Sequence, residues 1–317
     1  MIVGQVHIDK PLSNFAYYCS PRGTIADALC PIVPVEKQSD LWFEFNKSEM
    51  WRTADTLRAP GDVPNTVRFY VGSKSYYAPN YELMGFVTEE ELANADDVLR
   101  TKLENRVGRV RLALDIDRER RCAAAMIASA GSNAAVASVW TGAGANPVGD
   151  IYTGIENVEH GTGYRPNRLV FGLKPWNAFR KHTVVIDKAV NPNVTGGAGL
   201  VTVEQAQSIF STPGSPARIL VGELFMDNNQ EGDPVASITP VWTNHCFIYR
   251  VSDGPSTEEP TFMAQLRWTR VPGAMMEVVR HPPDRKRKIQ ELQIGYYQAE
   301  VFPSSDLCML LRSATTN

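Results

Sequence analysis

Thr88-Glu-Glu-Glu-Leu-Ala-Asn-Ala-Asp-Asp-Val-Leu-Arg-Thr-Lys-Leu-Glu-Asn-Arg-Val-Gly-Arg-Val-Arg-Leu-Ala-Leu114 is the stretch on which the reading of this chain turns. Leu92, Ala95, Leu99, Leu103, Val107, Val110 and Leu114 recur at steps of three and four, which is one face of an α-helix. Thr88 stands three residues before Glu91, at the spacing of a capping box. Helix formers resume over 123–130 and stop at Gly131. An unbroken helix over this span would hold about 43 residues and reach about 64 Å, against a radius of gyration of about 20 Å for a compact chain of this length. Either the helix breaks or the molecule is elongated. Gly108 and the cluster Asp115-Ile-Asp-Arg-Glu-Arg-Arg121, which interrupts the apolar stripe, are the expected points of a break or kink.

Upstream, Leu41-Trp-Phe-Glu-Phe45, Thr66-Val-Arg-Phe-Tyr-Val71 and Lys74-Ser-Tyr-Tyr-Ala78 are β-rich runs around the turn-forming Ala59-Pro-Gly-Asp-Val-Pro-Asn65. They predict a two-stranded excursion of about forty residues, which cannot bury its own faces because an isolated hairpin is marginal in water. It must lie on something, either an edge of a sheet in the same chain or another molecule. Before it, Pro11, Pro21, Gly23, Pro31 and Pro34 interrupt any regular element. Residues 1–37 therefore predict an extended arm, with one or two helical turns over 24–30.

Downstream, the pattern gives a strand over 134–140, a helix over 150–159, a strand over 168–172, helices over 174–181 and 203–210, and strands over 218–222 and 246–251. Further strands are expected over 261–268, 277–280, 288–299 and 307–311. This is a mixed α+β chain with no internal repeat.

The 317 residues are 43% hydrophobic and 21% charged, the balance of an ordinary folded protein. A net charge of −3 argues against a broad basic face that grips nucleic acid, although it permits a container for it. No apolar run approaches the length of a membrane span, so no membrane partner is expected. Five cysteines at wide spacings, without a C-x-x-C, support neither a zinc site nor a disulfide framework and fit reduced thiols made in a cytoplasm.

Catalytic patterns are missing as well. His7, His160, His182, His245 and His281 are scattered, with no pair at metalloprotease spacing, and Gly-x-Ser-x-Gly does not occur. Gly142-Ala-Gly144-Ala-Asn-Pro-Val-Gly149 has the look of a phosphate loop, but Pro147 stands where a helix should begin to donate N–H groups, so a turn is expected. Gly196-Gly-Ala-Gly199 reads as a loop too. No catalytic residue, cofactor or metal is assigned. An α/β enzyme working from scattered loop residues stands as the alternative from another class. The basic run Arg285-Lys-Arg-Lys288 reads as a solvated strand entry, a nucleic-acid patch, or a charge cluster that meets a neighbouring molecule.

Taken in order, the segments resemble the tailed-bacteriophage major capsid proteins of the Hong Kong 97 fold. Cys30-Pro-Ile-Val-Pro-Val-Glu-Lys-Gln-Ser-Asp40 and Trp42-Phe-Glu-Phe45 resemble the family's passage from N-terminal arm into extended loop. Arg52 through Arg58-Ala-Pro-Gly61 resembles the loop's outward strand and tip, and Tyr76 to Thr88 its return into the spine helix. Thr162-Gly-Tyr-Arg-Pro-Asn-Arg-Leu-Val-Phe-Gly172, with Trp176 and Lys181-His182, is similar to a passage across the axial domain. Lys288-Ile-Gln-Glu-Leu-Gln-Ile-Gly-Tyr-Tyr-Gln-Ala299 and the final strand resemble the closing pair of the peripheral domain.

The resemblance implies an arm (1–37), an extended β-hairpin loop (38–87), a peripheral domain with the spine helix (88–140), an axial domain (141–260) and C-terminal peripheral strands (261–317). It implies a subunit that tiles with itself into pentamers and hexamers of an icosahedral shell around double-stranded DNA. The virion is then its location, after assembly in the host cytoplasm. Its other expected partners are a separate scaffolding protein, a portal protein and a decoration protein. The expected contacts between subunits are Trp42, Phe43, Arg52, Arg58, Pro60, Gly61, Phe69 and Tyr70 of the loop, with Arg118, Arg285 and Lys286. Lys47 and Lys74 lie in the loop without a motif for covalent crosslinking, and hinges are expected near 31–34 and at Gly85. An encapsulin-like nanocompartment shell is the alternative within the fold.

Overall fold

A computed structural model describes residues 7–18, 23–44, 51–68, 70, 72–93, 99–136, 138–142, 144–189, 200–229, 234–254, 259–271, 275–312 and 314–315. The chain opens with β1 (His7–Ile8), α1 (Lys10–Tyr18), α2 (Ala26–Leu29), β2 (Ile32–Val35), β3 (Ser39–Glu44), β4 (Gly72–Tyr77), β5 (Asn80–Thr88) and α3 (Glu89–Ala93). It continues with α4 (Leu99–Ser129), β6 (Ser132–Ala135), α5 (Pro147–Thr162), β7 (Arg168–Gly172), α6 (Leu173–Phe179), α7 (Thr183–Ala189) and α8 (Val203–Phe210). It closes with β8 (Arg218–Gly222), β9 (Phe225–Asp227), β10 (Ile238–Pro240), β11 (Cys246–Tyr249), β12 (Ala264–Trp268), β13 (Met275–Arg280), β14 (Ile289–Val301) and β15 (Cys308–Arg312).

Two sheets share one long helix. In the first, β14 is central: β5 pairs along one edge, and β12 and β13 follow one another along the other. β1 adds outside β13, and β2 runs parallel to β12. Alternate residues of β14, Leu292, Ile294 and Tyr296, face inward as the two-residue period of a strand requires. They pack against Leu103, Val107, Val110 and Leu114 of α4 and Leu12 and Ala16 of α1. The second sheet has the order β6-β15-β11-β7-β8. β11 is buried along its whole length because both faces are covered. One face meets α5 to α8 through a ring cluster of Trp140, Phe171, Trp176, Phe179 and Phe210. The other meets Cys122, Ala123 and Met126 of α4, together with Leu29 and Phe262. The early part of α4 thus serves one sheet, its end serves the other, and the charged residues 111–121 lie between.

Several expectations need correction. Gly108 and 115–121 do not interrupt α4, which runs from Leu99 through both to Ser129. The charges are compatible with a continuous helix because they are paired inside the molecule, as described below. The Thr88–Glu91 capping box is present, with Glu91 N donating to Thr88 Oγ1 at 3.1 Å and Thr88 N to Glu91 Oε2 at 3.3 Å. It caps only the short α3, and residues 94–98 lie outside the described residues. The arm is not extended throughout. Pro11 falls in the first turn of α1, where a missing N–H is harmless, and Asp9 Oδ1 accepts from Leu12 N at 3.1 Å. α1 also docks on the body through buried Leu12 and Ala16.

The β run expected over 74–78 is β4, which pairs with β3 from Ser39↔Tyr77 to Glu44↔Gly72, whereas 66–68 and 70 are in no strand and 69 and 71 lie outside the described residues. Pro147 does begin a helix, as the first residue of α5, with Asn146 Oδ1 accepting from Gly149 N at 3.1 Å. The strand after α4 is shorter than expected, Ser132–Ala135. The final strand does not close the first sheet. β15 pairs with β11 and β6 in the second, because four consecutive buried residues need cover on both faces. Gly85 is a packing requirement within β5, since a Cβ there would meet Val110 Cγ2 at 2.8 Å and Arg106 Cγ at 2.9 Å. Ile32–Val35 is a paired strand as well. The Gly196–Gly199 loop, Lys47, Phe69 and Cys19 lie outside the described residues.

Candidate functional site: an exposed hairpin loop and a buried charge seam

The β3–β4 hairpin has two unlike faces, because residues opposite each other in an antiparallel pair share a side. On one, half-buried Trp42 and buried Tyr76 pack with Ala78, Leu266 and Ala299, so the base is fastened to the first sheet. Tyr76 OH also donates to Lys37 O at 2.9 Å, and Lys74 pairs with Glu44 farther out. On the other face, Leu41, Phe43 and Tyr77 are exposed.

Beyond the hairpin, every residue from 51 to 68 is exposed. Apolar Leu57 (84%) and Val63 (80%) are almost fully so. The tip is a type II turn: Asp62 N donates to Ala59 O at 3.1 Å, Pro60 leads, and Gly61 takes φ +87°, which favours glycine. Trp51 is the visible point of attachment. Its Nε1 donates to Thr162 O at 2.7 Å, and its ring lies 5.4 Å from that of Tyr164. Between them Gly163 ends α5 at φ +77°, and a Cβ there would stand 2.6 Å from the indole.

The expected contact residues thus divide. Phe43, Arg52, Arg58, Pro60, Gly61 and Tyr70 are exposed, and so are Arg285 and Lys286, which sit in a turn where Asp284 Oδ1 accepts from Lys286 N at 2.9 Å. Trp42 is half-buried against its own subunit. Arg118 is a correction: at 2% exposure it is committed inside the subunit and is not available to a neighbour.

Arg118 belongs to a seam that sequence reasoning missed. It binds Asp27 of α2 and, at 2.9 Å, Gln265 Oε1 of β12. Glu119 accepts from Ile25 N at 2.5 Å, Ala26 N at 2.6 Å and Trp242 Nε1 at 2.7 Å. Arg111 pairs with Asp115 at 2.8 Å. Arg121 reaches Asp117, Glu300 and Tyr296 OH, and its guanidinium lies 3.4 Å from the centre of the Tyr81 ring. Burial pushes the Glu119 and Asp115 carboxyls above their ordinary values, against the pull of their hydrogen bonds and nearby arginines. Burial also works to raise Asp27, but Arg118, with Arg267 and Arg111 behind it, holds that carboxyl below 3.8. Apart from the i,i+4 pairs Arg111–Asp115 and Asp117–Arg121, the hydrogen-bond partners come from α2 and its entry, from the first sheet and from Trp242, 91 to 179 residues away in sequence, so the local pattern does not announce them.

Among the described residues no group of three or more His, Cys, Asp and Glu side chains is placed to hold a metal ion. No helix among them is long and apolar enough to cross a membrane. Cys30, Cys122, Cys246 and Cys308 are free and buried, and burial pushes each thiol up, away from reactivity.

No family model matches the chain. It is 24% identical over 315 residues to the major capsid protein of Pseudomonas phage JBD67, covering 97% of each chain. It is 26% identical over 299 residues to the major capsid protein of Burkholderia phage BcepMu, covering 86% of this chain and 90% of that one. Over nearly its whole length the chain is thus similar to phage major capsid proteins. Among solved structures, a phage-related protein of Bordetella bronchiseptica superposes with a TM-score of 0.72 at 22% identity, covering 98% of both chains. The capsid structure of cyanophage P-SCSP1u gives 0.55 at 9% identity, covering 89% of this chain and 86% of that one. These likenesses carry the fold, which is α+β of the Hong Kong 97 type.

Proposed function

We propose that this capsid protein forms pentamers and hexamers of an icosahedral shell around double-stranded DNA, and that the loop over 51–68 is its principal contact with neighbouring subunits. The observation that carries this is the loop itself. Residues 51–68 are all exposed and, apart from Trp51 where it rests on Thr162 and Tyr164, contribute little to their own subunit, so that Leu57, Val63 and Val67 gain burial only against another. The accessible surface of the whole chain points the same way, at 18342 Å² against about 13,000 Å² for a compact monomer of this mass. Phe43, Arg52, Arg58, Pro60, Gly61 and Tyr70 then meet a neighbour directly, and Arg285 and Lys286 set register by charge. The shell function needs no catalytic chemistry. Residues 141–260, with β6 and β15, form the axial domain, and the first sheet with the early part of α4 forms the peripheral one. Scaffolding, portal and decoration proteins complete the partners, and assembly takes place in the host cytoplasm before DNA enters. The names of the curated relatives favour this over an enzyme-loaded compartment.

Deleting residues 59–65 tests the reading. The expected product is a soluble, folded subunit that assembles poorly, judged by circular dichroism and by particle yield in electron microscopy. Normal yields of stable shells would remove the loop from its role.

A further inference from the structure

Asp284 to Lys288 turn the chain from β13 into β14 at one end of the first sheet. Asp284 and Ile289 bond to each other through both backbone groups, at 3.0 and 3.3 Å. Asp284 Oδ1 also accepts from Lys286 N at 2.9 Å and from Arg287 N at 3.4 Å. The turn is therefore held in one shape, and Arg285, Lys286, Arg287 and Lys288 are all exposed on it. Lys288 takes φ +53°, a left-handed conformation that glycine or asparagine adopts at less cost, so a fourth cation stands where the backbone does not favour it.

Lys288 O accepts from Glu89 N at 2.9 Å, which sets the acidic start of α3 beside this turn. Glu91 is committed to the Thr88 cap and to Arg106 at 3.5 Å, but Glu89 and Glu90 are exposed. Among the described residues neither of these two acids, and none of the four cations, forms an ion pair within the chain. Met84 and Phe86, on one side of the edge strand β5, lead into this corner and are exposed as well. An apolar patch flanked by unpaired acids and bases has the make-up of an interface centre and its rim. A nucleic-acid strand drawn to the bases would be repelled by Glu89 and Glu90 beside them. The partner that suits the corner must offer both signs of charge and an apolar surface, and a second copy of the same corner offers all three.

Building on the proposal that the chain tiles with itself, we infer that this corner joins copies: Arg285, Lys286 and Arg287 of one meet Glu89 and Glu90 of another, with Met84 and Phe86 covered between them. Because each copy carries both halves, the same pairing serves a two-fold contact or a closed ring. Rim charges of this kind select partner and register more than strength. The corner thus aligns copies, while the 51–68 loop supplies burial elsewhere.

Charge reversal in the full chain tests this. E89K with E90K makes the acidic half basic, and R285E with K286E makes the basic half acidic. The two variants are compared separately, combined in one chain, and as an equal mixture. Light scattering and sedimentation read assembly, and circular dichroism reads folding. Each variant alone should assemble about tenfold less well, because like charges then meet across the contact. The combined chain should recover, and the mixture should assemble better than either variant alone, since unlike copies attract. Recovery in the combined chain without any gain in the mixture would show pairing inside one chain and overturn the inference. A loss confined to the variant with R285E and K286E would assign the turn to nucleic acid or another partner and overturn it as well. So would two variants that assemble like the parent, while the 59–65 deletion still reports whether the loop joins subunits. Should a reversed chain not fold, E89Q with E90Q and R285Q with K286Q replace the reversals. Each neutral variant should lower assembly about threefold and their combination no further, whereas additive losses would overturn the contact.

Discussion

Residues 111–121 of α4 and residues 51–68 of the loop look alike on paper, since each mixes acids and arginines with scattered apolar residues. In the fold they are opposites. The α4 segment buries Arg111, Asp115, Arg118 and Glu119 and gives them partners within the chain. The loop has no buried residue over its described length and touches its own body at Trp51. A buried charge is tolerable only when paired and hydrogen-bonded, so the first segment fixes the subunit's internal geometry by requiring its partners to be in place. An exposed charge fixes nothing in its own subunit and is left to select a neighbour. Under the proposed function, the residues that define the subunit are thus separate from those that would join subunits.

The sharpest way to break that contrast is at Glu119. Replacing it with alanine leaves the Ile25 and Ala26 N–H groups and Trp242 Nε1 buried without their acceptor. The expected loss is about 3–5 kcal/mol, measured by urea unfolding of the unassembled subunit. A loss below about 1 kcal/mol would mean that the seam relaxes easily and does not define the subunit.

A smaller effect is expected where the loop touches its own body. Gly163→Ala places a Cβ at φ +77° and against the Trp51 ring, for an expected cost of about 1–2 kcal/mol. In a Trp51→Ala background the ring is gone and only the backbone strain remains, so the cost of Gly163→Ala should fall. An equal cost in both backgrounds, from the same unfolding measurement, would show that Trp51 does not rest there and that the loop is even less attached than described.

How much of this was legible follows from where the partners lie. The strands at Arg168–Gly172 and Arg218–Gly222 and the helix Val203–Phe210 were readable because their patterns are local. The helix at Thr183–Ala189 was not, since Thr183-Val-Val-Ile186 is β-branched and packing of buried Val185 overrides that propensity. The exposed tip at Pro60-Gly61 was legible through its turn chemistry. The seam was not: Asp115 to Arg121 reads as an interruption of an apolar stripe until Asp27, Trp242, Gln265 and Glu300 are brought to it by the fold. Arg118 was accordingly assigned to a neighbour when its partners are its own.

Asp27 lies between the two extremes, since it pairs with buried Arg118 while its own side chain is 61% exposed. Its folded carboxyl sits below the unfolded value of 3.8. The stabilisation it supplies is therefore complete above about pH 4 and is lost as pH falls through the lower folded value, because the unfolded chain takes up its proton first. Asp27→Asn removes that pH dependence. At neutral pH the variant should be less stable by about 1 kcal/mol or less, since solvent screens so exposed a pair. The gap between parent and variant, followed by unfolding from pH 7 to pH 2, should narrow only below pH 4 and vanish at the acid end. A gap that stayed constant to the lowest pH would mean that Asp27 holds α2 by shape and hydrogen bonding rather than by charge, and that the seam ends at Arg118. A gap that closed already near neutrality would point to a different group, Asp115 and Glu119 being the seam carboxyls that burial raises.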